Sequence, residues 1–302
     1  MVINDMKENA NSLRRENVND DYKAEYKAKF LKCRQAVKYV NDLGIPEDKI
    51  DEAIVKINDF VDDLNYCQNC PGIKACQKKN PMVINKLTYT NGVVDVTITP
   101  CKKFLEKVSV ESNLKVNDFD GDSFDIELTK IDKSSARAKV LKKYSDYLED
   151  VSDDWIYITG SLNSGRTYLA NALAVDLARK NKGPVCFINA SLRFKEMADA
   201  SYRDKARFQR MLDLFSTCQV LFIDDFGSEL KTDFIRNGVL LPIINKRAAK
   251  HLLTVFTSDY TLDEICQLYS TSKVAEIEAK KIYSIIKMMA KKEINLGEVS
   301  VY

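Results

Sequence analysis

This chain predicts an α/β fold: a parallel sheet with helices on both faces, preceded by a small helical and hairpin unit. Three observations lead there. Apolar runs at Trp155–Thr159, Val185–Asn189, Val220–Asp224 and Leu252–Ser258 alternate with segments of helical spacing, the order that gives parallel strands joined by crossover helices. A glycine-bounded turn, Gly160 to Thr167, joins the first of these strands to a helix pattern carrying Leu169, Ala172, Leu173 and Leu177. Far upstream, Val83–Tyr89 and Val93–Thr99 flank Asn91-Gly92, a pair suited to the two positive-φ positions of a tight hairpin.

Taken in order, residues 1–20 are polar. From Asp21 to Leu43, Tyr22, Tyr26, Phe30, Cys33, Val37 and Val40 recur in steps of three and four, predicting one amphipathic helix that stops near Gly44. Pro46 opens a second, with Ile50, Ile54, Ile57, Val61 and Leu64 on one stripe. A short turn between two helices predicts an antiparallel pair, with a coiled-coil seam or partner-binding helix as the alternative use of the stripe. The hairpin follows. Residues 108–132 are charged and weakly periodic, which predicts a linker between domains 1–107 and 133–302. Ser134–Leu148 reads as a helix, and a late helix carries Ile282, Ile285, Ile286 and Met289 on one face.

The bulk numbers exclude some classes. A length of 302 residues suits two domains. Lys and Arg total 46 against 44 Asp and Glu, a net charge of +2, which argues against a protein dominated by nonspecific attraction to nucleic acid. No apolar run approaches a membrane span, and the first residues lack the apolar stretch of a secretory signal. Eight cysteines, partly clustered, suggest a reducing, cytoplasmic setting with a metal site rather than a disulfide framework.

Two constellations carry chemistry. Gly160-Ser161-Leu162-Asn163-Ser164-Gly165-Arg166-Thr167 is a phosphate-loop pattern with arginine in the lysine place. Strand, turn and helix N-terminus together aim backbone N–H groups at an anion. Gly160, Ser161, Asn163, Ser164, Gly165, Arg166, Thr167 and Tyr168 are the candidate ATP/ADP-binding residues. Val220–Asp225 ends in two carboxylates; in such a site Asp224 would hold Mg²⁺ and Asp225 would polarise the attacking water. Arginine is bulkier than lysine and presents a planar fork, so the exchange is not conservative. A retained fold with a silent pocket is the rival reading. The second constellation is Cys67-x2-Cys70-x5-Cys76 with Cys101 after the hairpin, four thiols with the spacing of a structural Zn²⁺ site; buried free cysteines are the alternative. Cys33, Cys186, Cys218 and Cys266 fall on helix or strand faces, and His251, the sole histidine, is expected to be neither ligand nor base.

These pieces in this order resemble the bacterial replicative-helicase loaders of the DnaI/DnaC type, DnaI most of all, from the cysteine cluster to about Gly297. The resemblance implies an AAA+ ATPase domain behind a zinc-binding, helicase-contacting domain. Its acidic strand end reads Asp224-Asp225-Phe226-Gly227-Ser228-Glu229 here, and its polar sensor segment reads Thr257-Ser258-Asp259. It implies a trans-acting arginine at Arg247 and a second sensor cation at Lys281. Three groups expected to touch phosphate depart from the family pattern: arginine for lysine at 166, aspartate for asparagine at 259, and lysine for arginine at 281. A histidine-proline of relatives reads Asn80-Pro81, which leaves Cys76 to complete the metal site. The implied partners are the hexameric replicative DNA helicase, single-stranded DNA and other primosome proteins, with self-association left open. Arg193, Phe194, Lys195, Tyr202, Arg203, Lys205, Arg207 and Phe208 would line a strand-binding groove, or form an ordinary solvated helix face. A nucleotide-independent helicase adaptor and a transposition-type AAA+ helper remain the rival functions.

Overall fold

The computed structural model describes residues 20–119, 128, 131–132 and 134–297. The chain divides into two compact units, with the boundary between Leu105 and Glu106.

In the first unit the predicted helices each break once. α1 (Asp20–Lys32) and α2 (Arg34–Asp42) are separated at Cys33, whose ψ of 89° leaves the helical region. Likewise α3 (Glu47–Glu52) and α4 (Ile54–Gln68) are separated at Ala53. Phe30, Cys33, Ala36 and Val40 from the first pair pack on Ile54, Ile57, Phe60 and Val61 from the second. The break at Cys33 rotates the stripe, so Ala36 is fully buried while the expected Val37 is only partly covered. Tyr22, also placed on that stripe, is exposed. β1 (Val83–Thr90) and β2 (Val93–Pro100) pair antiparallel from Val83–Pro100 to Thr90–Val93. Asn91 and Gly92 turn the hairpin with φ of 53° and 77°, the two left-handed positions that this turn demands. Leu87 and Val94 face the helices and close the core.

The second unit is a six-stranded sheet in the order β3-β5-β6-β7-β4-β8, parallel at every pairing. Its strands are β3 (Leu114–Asn117), β4 (Ile156–Thr159), β5 (Val185–Asn189), β6 (Val220–Asp224), β7 (Thr254–Ser258) and β8 (Glu293–Asn295). The four strands predicted from the sequence form the middle, and their buried patterns explain why they were legible. The expected 108–132 linker is regular secondary structure over its first ten residues, while 120–127, 129 and 130 lie outside the described residues. Residues 102–113 form α5 (Lys102–Asn113), and Leu114–Asn117 add an edge strand beside β5. β8 at the opposite edge is three residues long and carries one buried side chain, Ile294; both edges are too short for a two-residue alternation to stand out.

Crossover helices α6 (Ser135–Leu148), α7 (Arg166–Arg179), α8 (Ala190–Arg203), α9 (Lys205–Thr217), α10 (Leu241–Ala249), α11 (Leu262–Tyr269) and α12 (Lys273–Ala290) cover both faces. α7 lies on one face with Leu169, Leu173 and Leu177 fully covered. α12 lies on the other, with Ala279, Ile282 and Ile286 in the core and Ile285 and Met289 at its border. Ser134 caps α6 by accepting from the Arg137 amide, as its position before the apolar pattern implies. A π-helical turn, Phe234–Leu240, leads into α10 and buries Arg236.

Candidate nucleotide site

Strand order puts the loop where it can meet the acidic strand end. β7 lies between β4, which feeds the glycine loop, and β6, which ends at Asp224. The C-terminal ends of three parallel strands therefore converge, the usual place for a ligand in such a sheet.

The loop has the left-handed positions that its sequence suggests. Asn163 sits at φ 65° and Gly165, the N-cap of α7, at φ 81°. Asparagine tolerates this region better than most residues, so the missing glycine at 163 costs the loop little of its shape. At Gly160 the requirement is steric. A β-carbon there would meet the Ser164 hydroxyl at 2.7 Å and the Gly297 carbonyl at 3.3 Å. The Ser161 amide and hydroxyl both donate to that same Gly297 carbonyl, at 3.4 and 3.3 Å. Arg137 on α6 supports the loop from below, donating to the Ser164 carbonyl at 3.0 Å and to Asp132 at 2.9 Å. Residues 162–169 line a cavity of about 530 Å³ together with Phe119, Ile131, Asp132 and Arg137. Tyr168 lines it too and is partly exposed; Leu162 at the loop tip faces solvent.

Asp224 is buried at the end of β6. It accepts from the Thr257 hydroxyl at 2.5 Å and from the Thr167 side chain. Burial pushes its carboxyl above the ordinary value, opposed by these two hydroxyl donors. Thr257 also accepts from the Asp225 amide at 3.1 Å, and Asp225 itself takes φ 56°. A left-handed aspartate at a strand end is the kind of local strain found at functional turns. Phe226 donates to the Thr257 carbonyl at 2.8 Å and accepts from the Ser258 hydroxyl at 2.5 Å. Glu229 completes the turn. Fully buried, it accepts from the Gly227 amide at 2.8 Å and from the Tyr269 hydroxyl, and burial raises its carboxyl above the ordinary range. Its role was absent from the sequence reading beyond its place in the strand-end pattern.

The residues fit a magnesium nucleotide. The loop amides at the start of α7, the Thr167 hydroxyl beside the Asp224 carboxylate, and the buried Ser164 hydroxyl, which has no partner among the described residues, together supply donors for phosphate and a hard oxygen pair for the cation.

Other expected residues land elsewhere. Arg166 does not extend into open space: it donates to the carbonyls of Gly160 and Ser258 and forms an ion pair with Asp259. Arg247 is overturned as a trans-acting arginine. It is 0% exposed and donates to Thr254 at 2.8 Å, to the carbonyls of Phe215 and Cys218 at 3.0 and 2.8 Å, and to that of Leu253 at 2.6 Å. It ties α10 to the starts of two strands and has no surface to offer a neighbour. Lys281 stands on the exposed side of α12. The expected strand-binding groove also loses members: Phe194 is fully buried, Phe208 packs on the core, and Arg193 is held by Asp118 and Glu196, which also pairs with Arg207. Residue type alone does not reveal a neighbouring carboxylate.

The zinc cluster is not assembled. Among the described residues no group of three or more His, Cys, Asp or Glu side chains lies close enough to hold a metal. Cys67, Cys70, Cys76 and Cys101 are free thiols. Burial raises the Cys67 thiol, and nearby Cys70 and Cys101 act in the same direction, so three of the four lie in one neighbourhood without closing on a common point.

The family profile described as IstB-like ATP binding protein matches residues 107–281, more than half of the 302-residue chain. The chain belongs to that family. Its second unit is thus an ATP-binding family domain, and the resemblance read from the sequence returns among its relatives. The replicative helicase loader DnaI of Bacillus subtilis (strain 168) is 22% identical over 256 residues, 82% of this chain and 81% of that protein. A crystal structure of DnaI superposes with a TM-score of 0.53 at 23% identity, covering 61% of this chain and 97% of the other. A primosome component from Streptococcus pyogenes serotype M3, itself described as putative, gives 0.52 at 20% identity, covering 65% and 99%. These structures show a shared fold. Among the described residues no helix is long and apolar enough to cross a membrane.

Proposed function

We propose that this IstB-like protein is a replicative-helicase loader of the DnaI/DnaC type whose second unit is an AAA+ domain binding ATP or ADP with Mg²⁺. The observation that carries the nucleotide part is the side-chain hydrogen bond between Thr167, at the end of the 160–167 loop, and Asp224. In a phosphate-loop site this hydroxyl and this carboxylate hold Mg²⁺ while loop amides and the cation at 166 take the phosphates. The loader part draws on the DnaI relative, which spans both units of the chain. In this reading the first unit contacts the hexameric helicase, and the second brings single-stranded DNA and other primosome proteins into reach. Hydrolysis, with Asp225 orienting water, is slow: the buried Arg247 supplies no trans charge, and such an arginine is worth about 10³–10⁵ in rate where present.

The direct test is co-purification of the full chain with the replicative helicase of its own host, with and without Mg-ATP, followed by helicase-loading assays on single-stranded DNA covered by its binding protein. Complex formation and stimulated loading are expected. A chain that binds nucleotide but neither holds the helicase nor stimulates its loading would sink the loader reading and leave the family assignment intact.

A further inference from the structure

Two residues that depart from the loader pattern, at positions 166 and 259, are bonded to each other. The Arg166 guanidinium pairs with the Asp259 carboxylate, and its other terminal nitrogen reaches the carbonyls of Gly160 and Ser258. Those carbonyls sit at the ends of β4 and β7, which are neighbours in the sheet. The arginine side chain is 10% exposed and that of Asp259 42%, so the cation is enclosed while its carboxylate partner faces solvent. Both N–H groups of one terminal nitrogen are then spent on backbone oxygens. The bond to Asp259 takes one more, leaving a guanidinium with little of its five-donor fork to spare. In the same loop the Ser164 hydroxyl is buried without a partner among the described residues.

We infer that the Asp259 carboxylate competes with phosphate for Arg166, and that it is the residue that makes this site favour a nucleoside diphosphate over a triphosphate. The inference rests on the nucleotide reading of the 160–167 loop. Carboxylate and phosphate oxygens are equivalent partners for a guanidinium fork, so an entering phosphate chain must displace Asp259 or share the cation with it. The cation at this loop position serves the β- and γ-phosphates. A diphosphate brings one phosphate to the shared cation; a triphosphate brings two, and more negative charge beside a carboxylate that has lost its partner. A lysine could serve as a point charge for several oxygens by rotating its stem. Arg166, pinned by two carbonyls, cannot swing.

The test is equilibrium binding of ADP and ATP, each with Mg²⁺, to the full-length parent, Asp259→Asn, Arg166→Ala and the double variant, with Asp259→Glu as the charge-preserving control. Asp259→Asn is expected to tighten ATP about tenfold and ADP by less, so that the ADP preference shrinks. Asp259→Glu should keep the parent preference. In the Arg166→Ala background the gain from Asp259→Asn should fall to a small residue, because no cation remains to be released. Equal ATP and ADP affinities in parent and Asp259→Asn, or an Asn gain unchanged by loss of Arg166, would overturn the competition while leaving the nucleotide site standing. Failure of all five proteins to bind either nucleotide at millimolar concentration would instead bring down the nucleotide reading on which the inference rests.

Discussion

Replacing Arg247 with methionine should destabilise the second unit without acting on catalysis between subunits. The guanidinium makes four bonds of 3.0 Å or less to Thr254, Phe215, Cys218 and Leu253, all from a fully buried position. Methionine keeps a long stem but removes every donor. Three backbone carbonyls then lose a donor; that of Leu253 keeps the Leu221 amide at 3.1 Å, while each of the other two, those of Phe215 and Cys218, costs about 1–3 kcal/mol if left unsatisfied. Against this, a charge no longer has to be kept out of water, a term of several kcal/mol in its own right. The net expectation is a loss of about 2–4 kcal/mol, a large share of the roughly 5–15 kcal/mol that a domain has. Urea unfolding followed by a signal from Trp155, which is buried in the same unit, would read this as a lower midpoint. A variant within about 0.5 kcal/mol of the parent, with its nucleotide turnover in the helicase complex abolished, would refute the buried-tie account and restore Arg247 as a finger.

Three further expectations follow from the site and its surroundings. Gly160→Ala should abolish nucleotide binding with little change in unfolding midpoint, because its β-carbon would sit 2.7 Å from the Ser164 hydroxyl and distort the loop; retained affinity in a binding titration would count against the loop geometry. Glu229 and Asp224 both have carboxyls raised by burial above ordinary values of 4.5 and 3.8. Each folded form therefore holds its proton to higher pH than the unfolded chain does, so their share of stability is largest at low pH and declines as pH rises through the raised values. Glu229→Gln should flatten that decline in a stability profile run from about pH 8 to about pH 5; an unchanged slope would show Glu229 to be ionised at no cost. For the cysteines, which do not close on a common point, metal analysis should find well under one zinc per chain and Cys67→Ser should leave the unfolding midpoint unchanged; about one zinc per chain, lost in Cys67→Ser, would show that Cys67, Cys70, Cys76 and Cys101 do gather around a metal.

What the sequence disclosed, and what it hid, divides along physical lines. The four central strands are buried on both faces, so their residues form unbroken apolar runs and could be read directly. The Asn91-Gly92 turn was legible because few residues accept two consecutive positive φ angles. The edge strands were not, since Leu114–Asn117 and Glu293–Asn295 are short and only partly covered. A helix break at Cys33 leaves no mark in composition, because no proline or glycine announces it. In the site, Thr167 and Asp224 were found by pattern, and the structure brings them together. Arg247 was misplaced because a motif specifies residue type and order, whereas a finger and a buried tie differ only in which side of α10 faces out. The Arg166–Asp259 pair was visible as two separate oddities; only the adjacency of β4 and β7 makes them one.

The support of the loop by the Gly297 carbonyl has a consequence for biosynthesis. β8 joins β4, the strand that leads into Gly160, and the Ser161 amide and hydroxyl rest on the backbone just beyond it. A nascent chain on the ribosome can pair β5, β6 and β7 early, yet its 160–167 turn stays unbraced until residues 293–297 have emerged. Copies ending before residue 293 would retain most of the sheet and lack the carbonyl that braces the 160–167 turn.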